Sequence, residues 1–291
     1  MNPLAFDFMQ RALLASVLVG LAAPAVGVFL VQRRLALMGD GIGHIALTGV
    51  ALGFLLGTAP VLTAVVVAIA GAIVMELVRQ KGHTGGDVAL ALMFYGGIAG
   101  GVLLIGLSPR GTNANLLSYL FGSLTAVSST DLVVITALSG TLLLTVAVLG
   151  RQLFAVCHDE EYARVAGLPV GFLNLLLAVM AAVTVTVAMR VVGLLLVSAL
   201  MVVPVATAQQ LVRGFRATVL VALGAGALAS VAGVLGSFYA KSAPGALIVV
   251  VALGGFAVAA LVGGLVRSRR AARHSPAGDE EHVEPREAAA R

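Results

Sequence analysis

The chain has 291 residues, 60% of them hydrophobic and only 11% charged, and its mean hydropathy is +1.07. This composition excludes a soluble globular domain and marks an all-α polytopic membrane protein. The net charge of +5 does not point to nucleic acid, because the basic residues lie at the ends of apolar runs and in the last stretch, where they set topology.

From the N-terminus, nine apolar runs reach spanning length, about 20 residues. They are 8–31, 35–56, 61–78, 88–107, 132–149, 171–189, 191–212, 217–239 and 245–266. The first lacks a basic stretch before it and leads into further runs, so it is expected to be a retained helix rather than a cleaved leader. Segment 116–127 is apolar but short, and is expected to form a re-entrant or interfacial helix buried by its neighbours. Residues 1–266 are thus one transmembrane domain. Residues 267–291, polar and charge-rich with Pro276 and Pro285, are expected to be a disordered cytoplasmic tail. The 35 glycines suit helices that approach closely. The lone cysteine, Cys157, excludes an intramolecular disulfide and a multi-cysteine metal site.

Orientation follows from lysine and arginine. With nine spans and the tail inside, Arg33, Arg34, Arg79, Lys81, Arg151, Arg164, Arg213, Arg216 and six arginines from Arg267 onward face inward, fourteen in all. Arg11, Arg110, Arg190 and Lys241, four in all, face outward. Were 116–127 a tenth span, the split would fall to twelve and six. The N-terminus is therefore expected outside.

The second run holds Asp40 and His44, an acid and an imidazole four residues apart and so on one helical face. An ionisable pair within an apolar span is a candidate functional site, and carboxylate with imidazole is a ligand set for a divalent transition metal. A local structural role, with Asp40 paired and His44 bonded to a carbonyl, stands beside that reading. Gly39, Gly41, Gly43 and Gly49 favour a broken or closely packed segment lining a cavity.

The one long connection, 151–169, is expected to be cytoplasmic and to hold a short amphipathic helix. Asp159 caps it, Glu160 and Glu161 fill its first turn, and Gly167 with Pro169 ends it. Either it is a solvated loop helix, or it is a knob whose acids, Ala163 and Gly167 fit a groove on a soluble partner. Asp87 and Asp131 open their spans as helix-start acids or take part in a path. Glu76 can pair with Arg79 one turn on.

The order Leu37-Met38-Gly39-Asp40-Gly41-Ile42-Gly43-His44, then Gly49-Val50-Ala51-Leu52-Gly53, resembles the signature of the membrane subunits of metal-ion ABC importers for zinc and manganese. Tyr119–Ser123, Glu161–Pro169 and the stretch from Val191 to Ala208, which contains Pro204, resemble the same family in order and spacing. The resemblance runs from about Phe8 to Val266 and implies a helical fold shared with cobalamin and iron-chelate permeases, working as a homodimer. It implies an extracytoplasmic metal-binding protein that delivers the ion and a separate ABC ATPase that docks on the 151–169 loop. It also implies that Asp40 and His44 line the path of Zn(II) or Mn(II), which is cargo rather than a resident cofactor. Pro204 joins Asp87 and Asp131 as a path or structural residue. Two departures stand out: Gly43 where the family usually has Ser, and Lys241 in an outer loop that usually carries an acid or amide.

The chain has no nucleotide-binding motif, so it is not expected to be an enzyme. The competing readings are a proton-coupled secondary transporter using Asp40 and His44, an ABC permease for an iron chelate or cobalamin, and a membrane anchor without transport. Carboxylate favours Mn(II) and imidazole Zn(II), so the pair alone does not choose between them.

Overall fold

The computed structural model describes residues 6–81, 86–108, 113–123 and 127–273. They form eleven helices, with no strand among the described residues. These are α1 (Asp7–Gln32), α2 (Met38–Leu56), α3 (Pro60–Lys81), α4 (Gly86–Leu107), α5 (Asn113–Phe121) and α6 (Ser129–His158). They continue with α7 (Glu160–Val165), α8 (Val170–Ala188), α9 (Leu194–Leu211), α10 (Phe215–Ala240) and α11 (Pro244–Arg273). Among the described residues, eight helices are long and apolar enough to cross a membrane.

The ninth expected span is the exception. Its helix, α9, is uninterrupted over Leu194–Leu211, 18 residues, and so opens later than the apolar run that begins at 191. Its expected opening, 191–193, is a turn. The cause is α5, whose end is wedged against that turn. A Cβ on Gly122 would collide with the Val191 carbonyl, and one on Gly193 with the Phe121 backbone; both glycines have positive φ, 74° and 86°. The N–H of Ser123 donates to the Arg190 carbonyl at 3.4 Å. The short helix thus covers the turn that α9 lacks and supplies its backbone with a partner.

Chain direction then settles the crossings. α3 ends and α8 begins at one end of the bundle, where Gln80 donates to the Gly171 carbonyl. α4 leaves that end and α6 returns to it. The segment between them therefore enters and leaves at the opposite end, where Arg11 donates to Ser129 at 3.0 Å and Arg190 pairs with Asp131 at 3.0 Å. So α5 is re-entrant, as expected, and not a tenth span. Arg33, Arg34, Arg79, Arg151, Arg164, Arg213 and Arg216 all fall at the first end, which the charge rule makes cytoplasmic.

α1 is the central element, packed against α6, α8, α9 and α10. Small residues let its neighbours approach: a Cβ on Gly27 would overlap the Met201 backbone, and one on Gly226 the Gly20 carbonyl and the Pro24 ring. Past α10, the backbone of α11 stays helical to Arg273, beyond the expected domain boundary at 266, because the apolar run simply continues into the arginine-rich stretch without a breaker. The rest of the expected tail lies outside the described residues.

Candidate functional site

α2 carries Asp40 in its first turn and His44 one turn on. The helix is continuous from Met38 to Leu56, so the glycines of this run serve close packing and not a break. α4 is its tightest partner. A Cβ on Gly97 would stand 2.5 Å from the carbonyl carbon of His44, and Thr48 Oγ1 donates to the Gly97 carbonyl at 2.8 Å. On the next face Gly49 sits so close to α3 that a Cβ would meet the Cα of Ala64 at 2.7 Å.

These contacts clamp His44. Its side chain is buried, and its ring meets Phe94 edge-on, centroids 4.3 Å apart and planes at 73°. Its Nδ1 is buried with no hydrogen-bond partner among the described residues. Buried polar atoms normally have a partner, and no carbonyl supplies one at this nitrogen. Asp40 is half-buried and lines a cavity of about 280 Å³ together with Leu37, Leu90, Ala91, Phe94 and Tyr95. A carboxylate with solvent-sized space before it and an imidazole nitrogen still unbonded can supply two ligands to a cation. Among the described residues no three of His, Cys, Asp and Glu come together, so one chain offers an incomplete set. Position 43 faces away from this cavity: a Cβ there would meet Leu194 at 3.5 Å and Val185 at 3.6 Å, on α9 and α8. The hydroxyl that Gly43 lacks would lie among those aliphatic side chains.

The other expected residues are dispersed. Asp131 forms a capping box with Ser128 at the start of α6 and pairs with Arg190, which lies 5.3 Å from the centroid of the Tyr119 ring. That carboxylate is fully engaged at the outer end, as a helix-start acid. Asp87 is the second residue of α4. Pro204 is buried inside α9 and does not line the Asp40 cavity. Glu76 is 1% exposed and holds Arg79 at 2.7 Å, with Gln80 donating to it at 3.0 Å, so the pair expected from spacing forms.

The 151–169 connection folds around α7. Asp159 accepts from the Tyr162 N–H at 2.9 Å, and Gly167, at φ +79°, turns the chain so that Leu168 N–H bonds back to the Ala163 carbonyl at 3.0 Å. Glu160 pairs with Arg33 at 2.7 Å and with Arg164 at 3.3 Å, and Arg33 also donates to Asn174. Here one expectation is corrected. Ala163 is fully buried, so it seats α7 on its own chain instead of facing a partner groove. The outward surface is Glu161, Tyr162 and Val165, the last 88% exposed, with Gly167 beside open space. Sequence reasoning missed Arg33 as the anchor, having counted it only as a topology charge. It also missed Phe94 and Gly97; the paired Gly96-Gly97 in an apolar run was the available signal.

The bundle thus carries an acid and an imidazole one turn apart on α2, the acid facing a cavity and the imidazole buried beside it. The chain belongs to the ABC 3 transport family, a model of which matches residues 5–263. It is 33% identical over 256 residues to the manganese transport system membrane protein MntC of Halalkalibacterium halodurans, covering 88% of this chain and 87% of that one. It is 32% identical over 286 residues to the chelated iron transport system membrane protein YfeD of Yersinia pestis, covering 98% and 96%. Among solved structures, PsaBC from Streptococcus pneumoniae in complex with Fab matches with TM-score 0.79 and 32% identity over 87% of this chain and 91% of that one. The chain is thus a multi-pass cell-membrane permease of a metal ABC importer, as its motifs indicated.

Proposed function

We propose that the chain conducts a divalent first-row metal ion inward past Asp40 and His44, with Mn(II) ahead of Zn(II) as the cargo. The observation that carries this is the buried, unbonded Nδ1 of His44 one turn from a carboxylate that faces a cavity. Mn(II) ranks first because a carboxylate with added carbonyl or water oxygens suits it, and because MntC carries manganese in its name. Two ligands per chain fit a conduit, which must release the ion as readily as it captures it. A second copy of the chain, meeting the first at the face on which the Asp40 cavity opens, would complete the set. An extracytoplasmic binding protein would deliver the ion.

Energy would come from a separate ABC ATPase seated on the exposed surface of α7. The N-cap at Asp159, the Arg33–Glu160 pair and the buried Ala163 make this helix rigid enough to transmit a push. The deciding experiment is metal accumulation in cells stripped of other importers. Wild type should restore Mn(II) uptake in an ATP-dependent manner. Uptake that persists after ATP depletion and follows the proton gradient would replace this reading with secondary transport.

A further inference from the structure

At the cytoplasmic end, α6 and α10 diverge over α1 and leave between them a cavity of about 920 Å³. Its inner wall is aromatic. Phe154 and Phe215 stand 4.3 Å apart, and Phe215 stands 5.5 Å from Phe29 of α1. Its mouth is ringed by Arg151, Arg213 and Arg216, all exposed. Of the other arginines, Arg11 is held by Ser129, Arg33 and Arg164 by Glu160, Arg79 by Glu76 and Arg190 by Asp131, and Arg34, exposed, does not line this cavity. Those three alone converge on one space with no carboxylate among its lining residues and no hydrogen-bond or ion-pair partner among the described residues.

The polarity changes with depth. Ala147 lies one turn above Arg151, and Leu220 one turn above Arg216, each about 6 Å further into the bundle at the rise of an α-helix. The first residues of α10, Phe215 to Ala217, line the same cavity, and a helix N-terminus favours an anion. A site with cations at the water boundary and an apolar slot running inward matches a lipid, and basic pockets between helices on this side of a membrane recognise anionic headgroups. We infer that the α6–α10 groove binds an anionic glycerophospholipid of the inner leaflet, its phosphate on Arg151, Arg213 and Arg216 and an acyl chain along the apolar slot. A soluble ATPase cannot follow the slot into hydrocarbon. A second copy meeting at the Asp40 face does not cover it either, because α2 and α4 make no extended packing with α6 or α10.

The test is native mass spectrometry of the full chain in detergent, titrated with phosphatidylglycerol or phosphatidylcholine. Wild type should retain one phosphatidylglycerol in preference to phosphatidylcholine. The triple variant Arg151→Gln, Arg213→Gln, Arg216→Gln should weaken that retention on the order of a hundredfold, taking about fivefold per arginine. Ala147→Trp, which fills the slot and leaves every arginine in place, should also expel the lipid. Excess soluble glycerol phosphate should not displace it. Equal retention of the two lipids by wild type, or retention unchanged in either variant, would overturn the site. Displacement by glycerol phosphate would reassign it to a free anion. Loss of a co-purifying ATPase from the triple variant, with lipid unchanged, would reassign it to an acidic protein segment.

Discussion

His44 is the most constrained side chain of the site, and its constraint is geometric. Phe94 packs edge-on against the ring and Gly97 closes on the backbone below it, and Nδ1 is buried with no hydrogen-bond partner among the described residues. Asp40→Asn keeps size and hydrogen bonding but removes the charge that offsets a cation, and an amide is easier to hold in the membrane than a carboxylate. The proposed path therefore expects Mn(II) accumulation to fall at least about tenfold in Asp40→Asn and in His44→Ala, by the measure of lost or disturbed metal ligation. Membrane levels of both variants should stay near wild type on immunoblots. Normal uptake by both would make the pair structural. That Asp40 and His44 share a helix face was legible from spacing alone, because i and i+4 lie together whatever surrounds them. Phe94 was not legible, since one aromatic among many in an apolar run shows no sign of what it touches until α4 is docked.

At the scale of the element, α2 and α4 form a matched pair whose fit depends on one of two adjacent glycines. A Cβ at Gly97 would strike the His44 backbone, whereas one at Gly96 would meet nothing within 4 Å. Gly97→Ala should thus force the helices apart and destabilise the protein by about 1–3 kcal/mol, as overpacking does. Gly96→Ala should be neutral or slightly stabilising, since alanine is the better helix former. Thermal unfolding of both variants in detergent reads the difference, and equal melting temperatures would refute the packing. α7 supports a different experiment. A side chain at Gly167 has open space but must adopt φ +79°, so Gly167→Arg should insert and fold with a penalty of about 1–2 kcal/mol. It should still lose ATPase co-purification and uptake, because the new cation projects from the proposed docking surface. Wild-type uptake in this variant would return α7 to solvent. The cap, first-turn acids and stop of α7 were readable because capping chemistry is local. The inward turn of Ala163 was not, because it depends on Arg33 drawing Glu160 from more than a hundred residues away.

On the scale of the whole molecule, the charge pattern read from the sequence and the chain directions in the fold are independent and agree. Seven arginines that the count assigned to one side fall at one end of the bundle. α5 begins and ends at the other, for the reasons that α4 and α6 impose. Run lengths identified the crossings, but they could not show that α9 starts late. That depends on a wedge made by α5, and hydropathy does not register which helix shields which backbone. The charge rule makes the α7 end cytoplasmic. Val165 at the α7 end is 88% exposed and Ser242, after α10, is exposed at the opposite end. In a Cys157→Ser background, Val165→Cys should therefore react with a membrane-impermeant maleimide only after the inner face is opened. Ser242→Cys should react in intact cells, or in spheroplasts where an outer envelope blocks the reagent. Lys241 beside it should raise the thiolate fraction and hasten labelling there. Reaction of both cysteines from the same side would place α7 and the α10–α11 turn on one face. That would require an even number of crossings between residues 165 and 242, whereas the three helices α8, α9 and α10 supply an odd one.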